Sequence, residues 1–94
     1  MERLTRVLGN NDFYIVDNLT VNHDLNGYTG EAITRLAKFE NIYEDLIASQ
    51  IQIPKELEKL RNEGKTKTVR FRELMVNKMT NANIINLFKT YGLE

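Results

Sequence analysis

Ala32, Leu36, Phe39, Tyr43, Leu46, Gln50, Ile53, Leu57 and Leu60 follow one another at alternating steps of four and three residues. That is the a/d spacing of a helix pressed against another helix, and every position but Gln50 is apolar or aromatic. The pattern predicts a long central helix over residues 30–63. Thr29 is placed as its N-cap, Glu31 puts a negative charge at the positive end of the helix dipole, and Gly64 is its stop. Pro54 removes the N–H that would bond the Gln50 carbonyl, so a kink is expected between these two residues. A kink is favoured over a break because Ile53, Leu57 and Leu60 stay in phase with Leu46. Ile33, Ile42 and Ile47 widen the apolar stripe beyond a narrow seam, which suits a bundle. Lys38, Glu44, Asp45, Lys55, Glu58 and Lys59 form the solvated face. The stripe is read as an oligomer interface built from Leu36, Phe39, Tyr43, Leu46, Gln50, Ile53, Leu57 and Leu60.

Before this helix, Leu4 to Leu8 and Phe13 to Val16 are rich in β-branched or aromatic residues. Gly9, Asn10, Asn11 and Asp12 between them favour a turn, so the chain is expected to open with a β-hairpin. Residues 17–30 are polar and punctuated by Asn18, Asn22, Asn26, Gly27 and Gly30, which reads as a loop. Asn22, Asp24, Asn26 and Gly27 match the start of a calcium loop. The match fails at its twelfth position, where Ile33 replaces the bidentate Glu, and an Asx-rich turn is preferred.

After Gly64, Thr68 caps a helix carrying Phe71, Leu74, Met75 and Met79. Thr80 is expected to end it and to cap a second helix with Ile84, Ile85, Leu87, Phe88 and Tyr91, stopped by Gly92. A short strand over Val69 to Arg72 is the alternative there. The expected fold is thus mainly α (α+β), one domain in three segments: hairpin and loop (1–29), central helix (30–63) and a basic helix pair (64–94).

Composition narrows the partners. A core of 94 residues buries only about 60 to 65% of the unfolded chain's surface, a shortage that oligomerisation relieves. With no cysteine, neither a disulfide nor a thiolate metal site can form. Charges at Glu2, Arg3, Arg6, Asp12 and Asp17 interrupt any leader or spanning segment, so a soluble cytoplasmic protein, away from the membrane, is expected. Thirteen basic and thirteen acidic residues cancel. The cancellation hides a basic tail, because residues 64–94 carry six cations and two acids.

That tail holds the candidate ligand site. Lys65, Thr66, Lys67, Thr68, Arg70 and Arg72 gather cations and hydroxyls at a helix N-terminus, where free backbone amides favour an anion or phosphate. Glu56, Glu63 or Glu73 would otherwise balance them. Gly64-Lys65-Thr66 also ends like a P-loop, but Lys59 stands where the leading Gly is required and a helix precedes it. No catalytic set is found: His23 is the only histidine and is placed on a polar surface, while Glu44 and Asp45 point in different directions. No enzyme activity, metal or cofactor is expected. A helix-turn-helix reading of the tail is weakened because Asn81 to Tyr91 carries Lys89 as its sole cation, with Asn81, Asn83 and Asn86 to reach bases.

Leu36-Ala37-Lys38-Phe39-Glu40-Asn41, Glu58-Lys59-Leu60-Arg61-Asn62-Glu63-Gly64-Lys65-Thr66 and Leu87-Phe88-Lys89-Thr90-Tyr91-Gly92-Leu93 resemble small uncharacterised accessory proteins of phages and prophages of Gram-positive bacteria. The resemblance covers roughly the last two thirds of the chain and carries no site residue. It implies a phage protein that inhibits a host defence or regulatory factor by binding. The expected function is therefore a homo-oligomeric binding protein that either masks a host protein or sequesters a phosphate-bearing nucleotide signal. A nucleic-acid-binding regulator and a coiled-coil adaptor in phage assembly are the alternatives.

Overall fold

The computed structural model describes residues 1–10 and 13–93. Strands β1 (Thr5–Leu8), β2 (Phe13–Val16), β3 (Asn22–Asp24) and β4 (Gly27–Thr29) precede helices α1 (Glu31–Asn62) and α2 (Val69–Thr90), with a 3-10 turn at Asn18–Thr20. The chain divides into two compact units, Met1–Asn41 and Ile42–Glu94.

In the first unit, β1 and β2 pair antiparallel from Thr5 against Val16 to Leu8 against Phe13. The β-branched and aromatic side chains favour this extended backbone, and an Arg6–Asp17 ion pair of 3.1 Å closes its open end. The turn expected at Asn11 and Asp12 lies outside the described residues. Residues 17–30 are not a loop, as the polar sequence had suggested. They form the 3-10 turn and a second hairpin, in which β3 pairs with β4 and His23 stands opposite Tyr28. Asp24 Oδ1 accepts the Asn26 N–H at 2.7 Å, shaping its turn. These strands are too short and polar for period-two alternation to reveal them.

Helix α1 starts one residue later than its expected cap. Thr29 belongs to β4, and the carbonyl of Gly30 accepts the first helical bond, from Thr34 N at 2.9 Å. Gly30 has φ +119, and a Cβ there would lie 2.4 Å from the Thr20 carbonyl oxygen. Only glycine fits this junction. At the other end, Gly64 takes φ +69, Gly64 N donates to Arg61 O and Lys65 N donates to Leu60 O, the double bond of a Schellman stop. Gly92 closes α2 in the same way, through bonds to Lys89 and Phe88.

In the second unit, residues 42–62 of α1 run antiparallel to α2. Helix α1 passes through Pro54 without a break. The expected C-terminal helix pair is instead one helix: α2 continues through Thr80. Thr and Asn compete with the helical backbone for hydrogen bonds, which made the stretch from Thr80 to Asn83 read as an end. Packing overrides that preference, because Phe71, Leu74, Asn81, Ile85 and Phe88 stay in phase only if the helix is continuous. Met79, Leu87 and Tyr91 consequently fall on the exposed side, away from the apolar face expected of them. Val69 to Arg72 is the first turn of α2, not a strand.

Ile53, Leu57 and Leu74 form the buried cluster, with Leu60 and Phe71 packed against it and Arg61 stacked over the Phe71 ring at 5.5 Å. Leu57, at 1% exposure, is the most deeply buried side chain described and contributes about 2 kcal/mol of transfer free energy.

Candidate functional site

The six residues of the basic cluster surround the start of α2, and the chain itself occupies half of them. The Thr68 hydroxyl accepts the Phe71 N–H at 3.2 Å and donates to the Lys65 carbonyl at 2.8 Å, so it is engaged on both sides as an N-cap. Lys65 pairs with Glu63 and Arg70 with Glu56, each at 3.0 Å. The hydrogen bond and charge of Lys65 hold the Glu63 carboxyl below its ordinary value, with a smaller contribution from Lys59. Two of the three carboxylates expected to balance the cluster therefore do so.

Among the described residues, Lys67 and Arg72 have no ion-pair partner. Arg72 lies two residues beyond Arg70, on the opposite side of the helix. It borders a shallow depression of about 330 Å³ with Val69, Glu73, Val76 and Asn77. Arg70 and Arg72 do not converge on one point.

The apolar stripe of α1 has two fates. From Tyr43 to Leu60 it is covered by α2: Tyr43 meets Phe88, with ring centroids 5.7 Å apart, and Ile53 and Leu57 are 7% and 1% exposed. Leu46, Gln50 and Leu60 are half-buried. Antiparallel packing of α2 thus gives this part of the stripe apolar cover within the chain itself. Gln50 Oε1 is buried without a hydrogen-bond partner among the described residues.

In the first unit, the stripe remains open. Ile33, Leu36 and Phe39 are 39%, 56% and 46% exposed. With Leu4, Val16 and Val21 they line an apolar groove of about 540 Å³. At its rim, Arg35 donates to the Glu2 carbonyl and lies 3.5 Å from the Glu31 carboxylate. The sequence pointed to Leu36 and Phe39 but not to Val21, a lone apolar residue between polar neighbours with no periodicity to mark it.

The β1–β2 hairpin is the other open surface. Leu8 and Phe13 are directly opposed, as are Val7 and Tyr14, and such pairs occupy alternate faces of the ribbon. All four side chains are exposed, so the hairpin shows apolar groups on both faces. His23 is also exposed, but it lies in β3 and packs on Tyr28 with ring centroids 4.7 Å apart.

Among the described residues, no cluster of His, Asp or Glu could hold a metal ion, and no helix is long and apolar enough to cross a membrane. The chain matches no protein-family model, no curated protein and no solved structure.

Proposed function

We propose that this chain is a non-enzymatic binding protein that works as a homo-oligomer and acts by masking a protein partner. One observation carries the reading: the β1–β2 hairpin leaves Val7, Leu8, Phe13 and Tyr14 exposed on its two faces. A two-stranded hairpin alone is marginally stable in water. Its open edges and apolar faces are completed when a partner adds a strand or covers a face.

The resemblance of residues 30–92 to phage accessory proteins supplies the setting, a phage inhibitor meeting a host defence or regulatory factor. Masking is favoured over nucleotide sequestration because Lys65, Thr68 and Arg70 already have partners in the chain. A helix-turn-helix DNA reader is disfavoured because α2 contains no turn.

Two measurements test the proposal. Light scattering of the purified protein at tens of micromolar should give a mass above one subunit. A thermal-shift panel of cyclic and ADP-ribose-type nucleotides should leave the melting temperature unchanged, since a ligand at a hundred times its Kd adds about 2.7 kcal/mol of stability. A large shift with any nucleotide would replace masking by sequestration.

A further inference from the structure

Within the second unit, the two helices meet in a single antiparallel register. Tyr43 lies against Phe88, while Leu57 and Leu60 share a cluster with Leu74 and Phe71. Each step of three or four residues along α1 is matched by an equal step back along α2. This register places Leu46 opposite Ile85 and Gln50 opposite Asn81.

The seam is therefore apolar at both ends and polar in the middle. Nearest the connecting turn, Ile53, Leu57 and Leu74 bury one another, with Leu60 and Phe71 packed against them. At the far end Ile85 is 8% exposed but stands outside that cluster, and Tyr43, Leu46 and Phe88 around it are half-buried. Between the two ends lie Gln50, whose buried Oε1 has no hydrogen-bond partner among the described residues, and the half-buried Asn81. Lys78, the seam position before Asn81, is exposed.

The backbone is weak at the same level, because Thr80, Asn81 and Asn83 are poor helix formers. Charge adds no tie there: Arg70 pairs with Glu56, and among the described residues no ion pair joins residues 71–90 to α1. The end of α2 is itself secured, since the Gly92 stop bonds back to Lys89 and Phe88. The turns above that stop are thus released together.

We infer that residues 81–90 are a strap that opens from α1 as one unit at the Gln50–Asn81 layer, while residues 69–78 stay docked. Opening sacrifices only the far-end contacts, because the cluster around Leu57 does not depend on them. It bares Tyr43 and Leu46 on α1 and Ile85 and Phe88 on the strap, apolar surface that the closed protein covers.

Native-state amide hydrogen exchange of the full chain, resolved by residue, tests the strap. Amides of residues 84–90 should share one opening step with one denaturant dependence, and be protected about tenfold or more less than those of residues 73–78. Ile85→Ala should lower protection across residues 84–90 together and leave residues 73–78 unchanged. Gln50→Leu combined with Asn81→Leu makes the seam apolar throughout and should bring both halves of α2 to one common protection. Equal protection along α2 in the parent, or a steady fall toward Thr90 as in simple fraying, would overturn the strap. A step that persists in the double variant would overturn the polar layer as its hinge. If Ile85→Ala fails to fold, the parent and the double variant decide between them.

Discussion

The rings of Tyr43 and Phe88 meet with centroids 5.7 Å apart and planes inclined at 48°. This tilted pair is where the last turns of α2 close over the α1 stripe. Both residues are half-buried, so Phe88→Ala should cost about 2 kcal/mol, less than a fully buried Phe, of which the ring pair supplies roughly 1 kcal/mol. Phe88→Leu, which keeps most of the area, should cost about half as much. Urea unfolding followed by helical circular dichroism would check this, and a Phe88→Leu variant as stable as the parent would remove the ring pair from the account.

Gln50 stands on the covered part of the stripe with its side-chain oxygen buried and unbonded. Pro54, one turn on, has no N–H to give the Gln50 carbonyl. Replacing the amide with an apolar group of similar length removes the desolvation penalty, so Gln50→Leu should stabilise the protein by about 1 kcal/mol. A drop in the thermal midpoint would show instead that the amide has a partner in solution.

Gly30 separates β4 from α1 at φ +119, and a methyl group there would strike Thr20 and Val21 backbone, which cannot rotate away. Gly30→Ala should therefore cost about 2 kcal/mol or more. Gly9→Ala, also at positive φ but in open space, should cost about 1 kcal/mol. Amide hydrogen exchange should locate the Gly30→Ala damage in residues 17–30. Exchange no faster there than in the parent would contradict the geometry.

Lys65 holds the Glu63 carboxyl below its ordinary value of 4.5, through a hydrogen bond and its charge. Because the folded value lies below the unfolded one, the contribution to stability is complete above pH 4.5 and is lost as pH falls through the folded value. Lys65→Ala should move the Glu63 titration upward toward 4.5 in a carboxyl NMR experiment. An unmoved midpoint would reassign the effect to Lys59.

Local rules made much of this molecule readable from its residues. The a/d spacing and the Gly64 stop determined α1 to within a residue at each end, and Thr68 and Gly92 determined where α2 begins and closes. These features depend on neighbours a few positions apart, which the sequence displays directly. The β1–β2 hairpin was legible for the same reason.

What required the tertiary structure was every decision between two segments distant in sequence. Thr80 reads as a helix end until Ile85 and Phe88 are held in register with Leu74 by packing against α1. Residues 22–29 read as a loop because their pairing follows from backbone bonds and glycine geometry, with no apolar alternation to announce it. The basic cluster looked like one anion site in the sequence, yet its helix directs Arg70 and Arg72 to opposite sides. The stripe on α1 told of a need for cover without saying what would supply it. Burial is a property of the whole fold, and only the fold showed α2 covering Tyr43 to Leu60 while Ile33, Leu36 and Phe39 stayed open.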